Sequence, residues 1–186
     1  VSQGTASQKP TYNATGWNGA PSVESTVAGG PDNLSGTFAT LGGTQLTFWV
    51  VGRIESSSAA FGRVLSAGSS DEANDYDNTK SVALQRLNST STIQLARNNQ
   101  QLGQVDPGYS NQFILLVQID GATAQLFLNG GAGTTPVPTA GEFSIENFNF
   151  LYNIGGAVVE YGFYQGVPSE AVRRKIEGDL SHEHGM

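Results

Sequence analysis

The hydrophobic period of this chain changes once, near its end, and that change restricts what the chain can become. From Ala157 to Tyr164 apolar residues alternate as in a strand. Val159, Tyr161 and Phe163 are expected on one side, and Val158, Glu160 and Tyr164 on the other. After Gly166-Val167-Pro168 the spacing becomes helical, with Val172, Ile176 and Leu180 four apart as an apolar stripe. Ser169 is the expected N-cap, Glu170 sits in the electropositive first turn, and Gly185 is the expected stop. The capping box is incomplete, because Val172 stands where a Glu would reach back. A chain that is otherwise strand-like therefore closes with one amphipathic helix over residues 169–184, and that helix needs a sheet to lie on.

The upstream segments are short strands separated by turns. Thr44 to Ile54 is apolar on both sides, with Leu46, Phe48 and Val50 facing one way and Trp49 and Val51 the other, so it reads as an inner strand covered twice. Further strands are expected at 21–27, 34–38, 63–67, 81–87, 92–97, 112–119, 122–129 and around Phe148, Phe150 and Tyr152. Asn18-Gly19 is a turn, and Asp120-Gly121 is expected to make a type I′ hairpin. Residues 130–141 read as a loop. The 24 glycines and the wealth of Ser, Thr and Asn suit such a layout. Ten to twelve strands spaced this way predict a single all-β domain over residues 1–186, a two-sheet antiparallel sandwich with a C-terminal helix. Val1 stands where a start Met is absent, which is read as a missing or processed N-terminal portion.

Composition excludes several function classes. The net charge is -7, and no basic patch is apparent to meet phosphates or anionic membranes. Cysteine is absent, which removes disulfides, thiolate catalysis and zinc-thiolate sites. No apolar run reaches the ~20 residues of a membrane helix.

Four segments in this order carry a family resemblance: Asn-Gly-Ala-Pro-Ser-Val, Thr-Phe-Trp-Val-Val, the Asp-Gly hairpin ending in Leu-Phe-Leu-Asn-Gly, and Glu-Tyr-Gly-Phe-Tyr running into Pro-Ser-Glu-Ala-Val-Arg-Arg-Lys-Ile-Glu-Gly-Asp-Leu. The chain resembles the laminin-G-like branch of the concanavalin A-like lectin/glucanase superfamily. The resemblance implies a jelly roll of the kind found in phage virion and bacterial surface proteins.

It does not imply catalysis. Glucanases of that superfamily use a Glu-x-Asp-x-x-Glu strand to hold two carboxylates roughly 5 Å apart, and no such run occurs. Glu160 is expected to be a half-buried carboxylate paired with an Arg or with backbone donors. The only histidines, His182 and His184, lie on the terminal helix, two apart, so their side chains diverge and suit the helix C-terminus better than a metal. Arg53, Arg63, Arg86 and Arg97 are expected in structural pairs. Trp17 and Tyr109 are candidate sugar platforms, with a core role the default.

The candidate binding site is the acidic loop 69–78, with Asp71, Asp75, Tyr76, Asp77 and Asn78 as contact residues. Its oxygen donors suit calcium, with Asp71, Asp75 and Asp77 as candidate ligands, although EF-hand spacing is absent; no other cofactor is expected. Two functional readings follow. The first is a non-enzymatic structural or adhesion module on a surface, as a phage capsid decoration, head fibre or tail fibre, with weak glycan binding. Its partners would be copies of itself, other virion or surface proteins, and glycans. The second is a carbohydrate-binding module of a secreted bacterial enzyme or adhesin. Replacing Asp75 and Asp77 by Ala is expected to lower the melting temperature in calcium but not in chelator if the loop holds calcium. Parent and variant melting alike in both conditions would contradict a calcium loop.

Overall fold

The computed structural model describes residues 11–25, 34–55, 62–69, 80–87, 90–97, 100–135, 137–138 and 142–186. The acidic loop residues Asp71, Asp75, Tyr76, Asp77 and Asn78 lie outside this set. The described strands are β1 (Thr11–Trp17), β2 (Ala20–Ser25), β3 (Leu34–Gly43), β4 (Gln45–Ile54), β5 (Arg63–Gly68), β6 (Val82–Arg86) and β7 (Ile93–Arg97). After them come β8 (Gln100–Val105), β9 (Phe113–Asp120), β10 (Thr123–Leu128), β11 (Val137–Pro138), β12 (Phe143–Tyr152) and β13 (Gly156–Gln165), then helix α1 (Glu170–His184).

The strands form two antiparallel sheets. One runs β1-β2-β13-β4-β9-β10-β11 and the other β3-β12-β5-β6-β7-β8. The expected two-sheet jelly-roll sandwich with a single C-terminal helix is what the chain forms. Between the sheets lies the main core, including Leu46, Phe48 and Val50 of β4, Leu115 and Val117 of β9, and Phe148 and Phe150 of β12. A smaller apolar cluster sits on the outer side of the seven-stranded sheet. It joins Trp17, Val51, Ile114 and Ala157 to Leu180 of α1, with Trp49, Val159 and Ile176 packed against it. β4 is thus an inner strand covered on both faces, as its double-sided apolar pattern predicts.

The ends of the helix form as expected. Ser169 Oγ accepts from the Val172 N–H at 3.4 Å, and Gly185 closes the helix in the left-handed region with φ 66°. The Asn18-Gly19 turn has positive φ at both positions, as a type I′ hairpin requires. The Asp120-Gly121 expectation is corrected by one residue. Thr123 pairs with Asp120, so Gly121-Ala122 is the loop, and of the two only Gly121 has positive φ.

Other expectations are corrected too. β1 and β8 went unpredicted because they are edge strands whose exposed residues, such as Thr11, Tyr12, Gln100 and Gln104, blur the alternation. The facing predicted for the last strand holds for Glu160, Tyr161 and Phe163 but fails for Val158 and Val159. A bulge between Val158 and Glu160 shifts its register against β4, where Val158 pairs with Gly52 and Glu160 with Val51. Two residues then oppose one, so Val159 leaves the predicted side. Val158 packs with Tyr161 and Phe163 in the main core, while Val159 joins the cluster under the helix.

Gly162 shows how closely that outer layer is packed. A Cβ there would lie 2.1 Å from Cζ2 of Trp49, whose indole crosses the glycine on the neighbouring strand. Gly162→Ala is expected to destabilise the fold by about 1–3 kcal/mol through overpacking, with a shift in tryptophan emission, measurable by urea unfolding. A variant as stable as the parent would contradict this placement of Trp49.

Candidate functional site

The face that α1 lays on the sheet is not the predicted apolar stripe. Val172 is 50% exposed, and Ile176 is only partly buried. The buried positions are Arg173, Glu177, Leu180 and His184, a stripe rotated by one residue and carrying three polar side chains. Leu180 alone is common to both stripes.

Each polar member has a partner that explains its burial. Arg173 Nη1 donates to Glu177 Oε2 at 2.5 Å, and each residue is 4% exposed. The Arg173 guanidinium also lies 3.9 Å from the centroid of the Phe127 ring. A desolvated contact of this kind contributes about 2 kcal/mol, which offsets part of the cost of burying the charge. His184 Nε2 lies 2.9 Å from Glu160 Oε2, so Glu160 pairs with a histidine where an arginine or backbone donors were expected. The His184 carbonyl accepts from Asn18 Nδ2 at 2.9 Å, and Asn18 and Gln112 exchange two amide hydrogen bonds at 3.1 and 3.2 Å. The β1–β2 turn therefore holds the end of the helix.

Beside this clasp, between α1 and the ends of β9 and β10, a cavity of about 550 Å³ opens. Gln112, Asn129, Arg174, Glu177 and Ser181 supply its polar wall, and Ile114 and Met186 its apolar patches. Asn129 Oδ1 accepts from the Ile114 N–H at 2.8 Å, and Ser181 Oγ donates to the Met186 carbonyl at 2.6 Å. A second cavity, lined by Gln118, Gln125, Phe127, Arg173 and Arg174 among others, continues along the same side of the helix. Arg174 borders both and pairs with Glu170 at 2.9 Å. Gly178 stands mid-helix at the first cavity, where a Cβ would meet nothing within 4 Å. Glycine in a helix costs roughly 0.5–1 kcal/mol relative to Ala, and no packing constraint requires it here.

The other sequence candidates fall into place singly. Trp17 is fully buried under the helix and offers no sugar platform. Tyr109 accepts a hydrogen bond from Arg86 and packs against the main core. Arg53 pairs with Glu24 and Glu55, and Arg97 donates to the Glu142 carbonyl at 2.6 Å. His182 is exposed, whereas His184, Glu183 and Glu160 each bring a ligand atom within 4.8 Å of the others. Glu160 lies on the side opposite Tyr161 and Phe163, as the alternation predicts, and faces the helix because Val51, its partner on β4, belongs to the outer cluster. The signals for the cavity were present in the sequence, as Arg and Glu four apart and a glycine inside a helix.

No protein-family model matches the chain, and no curated protein does. Solved structures do share its fold. The botulinum neurotoxin serotype G binding domain superposes with a TM-score of 0.65 at 9% identity, over 92% of this chain and 45% of that one. A Trypanosoma rangeli sialidase in complex with 2,3-difluoro-KDN gives 0.56 at 8% identity, over 75% and 23%. The Ruminococcus gnavus IT-sialidase CBM40 bound to α2,3-sialyllactose gives 0.51 at 14% identity, over 73% and 84%. The chain thus spans less than half of the toxin domain and about a quarter of the sialidase. At these identities the likeness establishes a β-sandwich fold. Among the described residues, no helix is long and apolar enough to cross a membrane.

Burial raises the Glu177 carboxyl above the ordinary carboxylate range, against the pull of Arg173 and then Arg174. A folded value above the unfolded one means that folding takes up a proton. The stability from this group is complete below the unfolded value of about 4.3 and is lost as pH rises through the folded one. Glu177→Gln is expected to flatten that decline in urea titrations across this window. Glu177→Ala is expected to cost about 3–5 kcal/mol at neutral pH, because it strands a buried guanidinium. An unchanged pH slope in the Gln variant would contradict a buried, proton-binding Glu177.

Proposed function

We propose that this chain is a non-enzymatic binding module displayed on a surface, and that glycans are its ligands. The observation that carries the reading is the cavity beside α1, kept open at Gly178. A glycine that costs helix stability, where a side chain would fit, makes sense if the space in front of it is used. Ligand pockets of about 300–1,000 Å³ with a few convergent polar groups are the ordinary form of a small-molecule site. The amides of Gln112 and Asn129, the Ser181 hydroxyl and the Arg174 guanidinium can serve sugar hydroxyls, while Ile114 and Met186 can meet the C–H face of a ring. With no aromatic platform among the lining residues, binding is expected to be weak and to act through many copies.

The fold supports this reading, since one neighbour, 84% of whose length the alignment covers, is a carbohydrate-binding module bound to sialyllactose. An extracellular setting accords with it. The finer version, a phage virion component such as a capsid decoration or fibre, rests on the laminin-G-like resemblance of the sequence. The alternative, a module of a secreted bacterial enzyme or adhesin, uses the same cavity. The absence of catalysis belongs to the proposal as well.

Gly178→Phe tests the reading, because it fills the mouth of the cavity while improving helix propensity. On a glycan array probed with multivalent protein, the parent is expected to bind a defined set of glycans. Gly178→Phe is expected to lose at least about tenfold of that signal with its melting temperature unchanged or raised. Binding unaffected by the substitution would remove the cavity from the account, and a parent that binds no glycan would overturn the glycan reading.

A further inference from the structure

Glu160, Glu183 and His184 meet where the end of α1 crosses β13, and their three ligand atoms lie within 4.8 Å of one another. The geometry points to a site for a divalent transition cation of the zinc class, which ties the C-terminal turn of α1 to β13. The site is separate from the glycan cavity and does not depend on it.

Three observations converge. The first is donor chemistry. One imidazole nitrogen and two carboxylate oxygens form a set that zinc accepts, with a water as fourth ligand. Calcium and magnesium prefer all-oxygen shells of six or more ligands, so neither suits a histidine-containing trio.

The second is charge. A hydrogen bond joins His184 and Glu160, and Glu183 brings a second carboxylate within 4.8 Å of them. Two carboxylates within 4.8 Å of each other repel unless a cation or a proton lies between them. A neutral imidazole with two carboxylates carries the charge that a divalent ion balances.

The third is preorganisation. The β13 bulge sets Glu160 opposite Val51, on the side that α1 covers. His184 is 9% exposed, its carbonyl is held by Asn18, and Gly185 ends the helix directly after it. His184 Nδ1 is buried without a hydrogen-bond partner among the described residues, so the ring is oriented by its Nε2 contact with Glu160 and by packing. Two ligands are thus built into the frame, and the exposed Glu183 completes the set from the surface.

The test uses the full chain stripped of metal and titrated with zinc chloride. Calorimetry is expected to show one zinc per chain. At about a 100-fold excess over the dissociation constant, the melting temperature is expected to rise by about 5–10 °C. Cobalt(II) in place of zinc is expected to give the visible absorption of a four-coordinate ion. Glu183→Gln and His184→Gln should each weaken zinc binding at least tenfold, while His182→Gln, two residues away and exposed, should not. Because Glu183 is exposed, its variant is expected to melt like the metal-free parent, which separates loss of the ligand from loss of the fold. The proposal is overturned if zinc neither binds nor stabilises the parent, if Glu183→Gln and His184→Gln bind zinc like the parent, if His182→Gln loses binding, or if calcium gives the same stabilisation.

Discussion

A strand that is apolar on both faces needs two covers, and in this molecule that strand is β4. Leu46, Phe48 and Val50 enter the space between the sheets, which the six-stranded sheet closes. Trp49 and Val51 point the opposite way and would lie in water without α1. Burying such side chains stabilises by about 1.5–3 kcal/mol each, so leaving the outer cluster open would cost a large part of the 5–15 kcal/mol by which domains are stable. The position of the helix follows from this need. So does the absence of a side chain at Gly162, where the Trp49 ring occupies the space beside the neighbouring strand.

The cover is partly polar, and its polar members give the molecule its features of interest. Leu180 supplies apolar contact near the centre, while Arg173, paired with Glu177, lies over Phe127 on one side and His184 meets Glu160 on the other. A buried ion pair seldom adds net stability over well-packed apolar residues. Its value here is geometric. The pair holds the helix toward the β9–β10 side at a fixed height, and the cavity forms beside it. The His184–Glu160 contact and the Asn18 cap pin the far end. Under the proposed function, this rigid cover is what presents the Gly178 opening to a ligand.

Much of this was legible in the sequence, at the level where a repeated pattern carries the information. The double-sided pattern of Thr44 to Ile54 announced a central strand, and the change of period after Pro168 announced the helix. Ser169 and Gly185 marked its ends by chemistry that depends on a single residue. What was not legible depended on register. One bulge at Val158 to Glu160 exchanged the sides of Val158 and Val159 relative to the rest of β13, and no local pattern foretells an extra residue in a ladder. The buried stripe of α1 was misjudged for a related reason. Nothing in the helical spacing singles out Arg173 and Glu177, because charge normally stays in water, and the burial of Arg173 rests on Phe127, which lies 46 positions earlier in the chain. The strands β1 and β8 were hidden by their exposure. The acidic loop, which sequence reasoning ranked first for binding, lies outside the described residues, and the cavity beside α1 came from elements that looked merely structural.

The central claim is that α1 is an integral cover of the seven-stranded sheet and not an appendage. Native-state hydrogen exchange tests it most directly, because it reports the opening free energy of each element separately. The account predicts that amides of the interior turns of α1, from Arg174 to Ser181, exchange with protection close to that of β4 and β13, and that they lose it together under mild denaturant. Amides of α1 that exchange orders of magnitude faster, while β4 and β13 remain protected, would show that the sheet stands without its helix and would contradict the account.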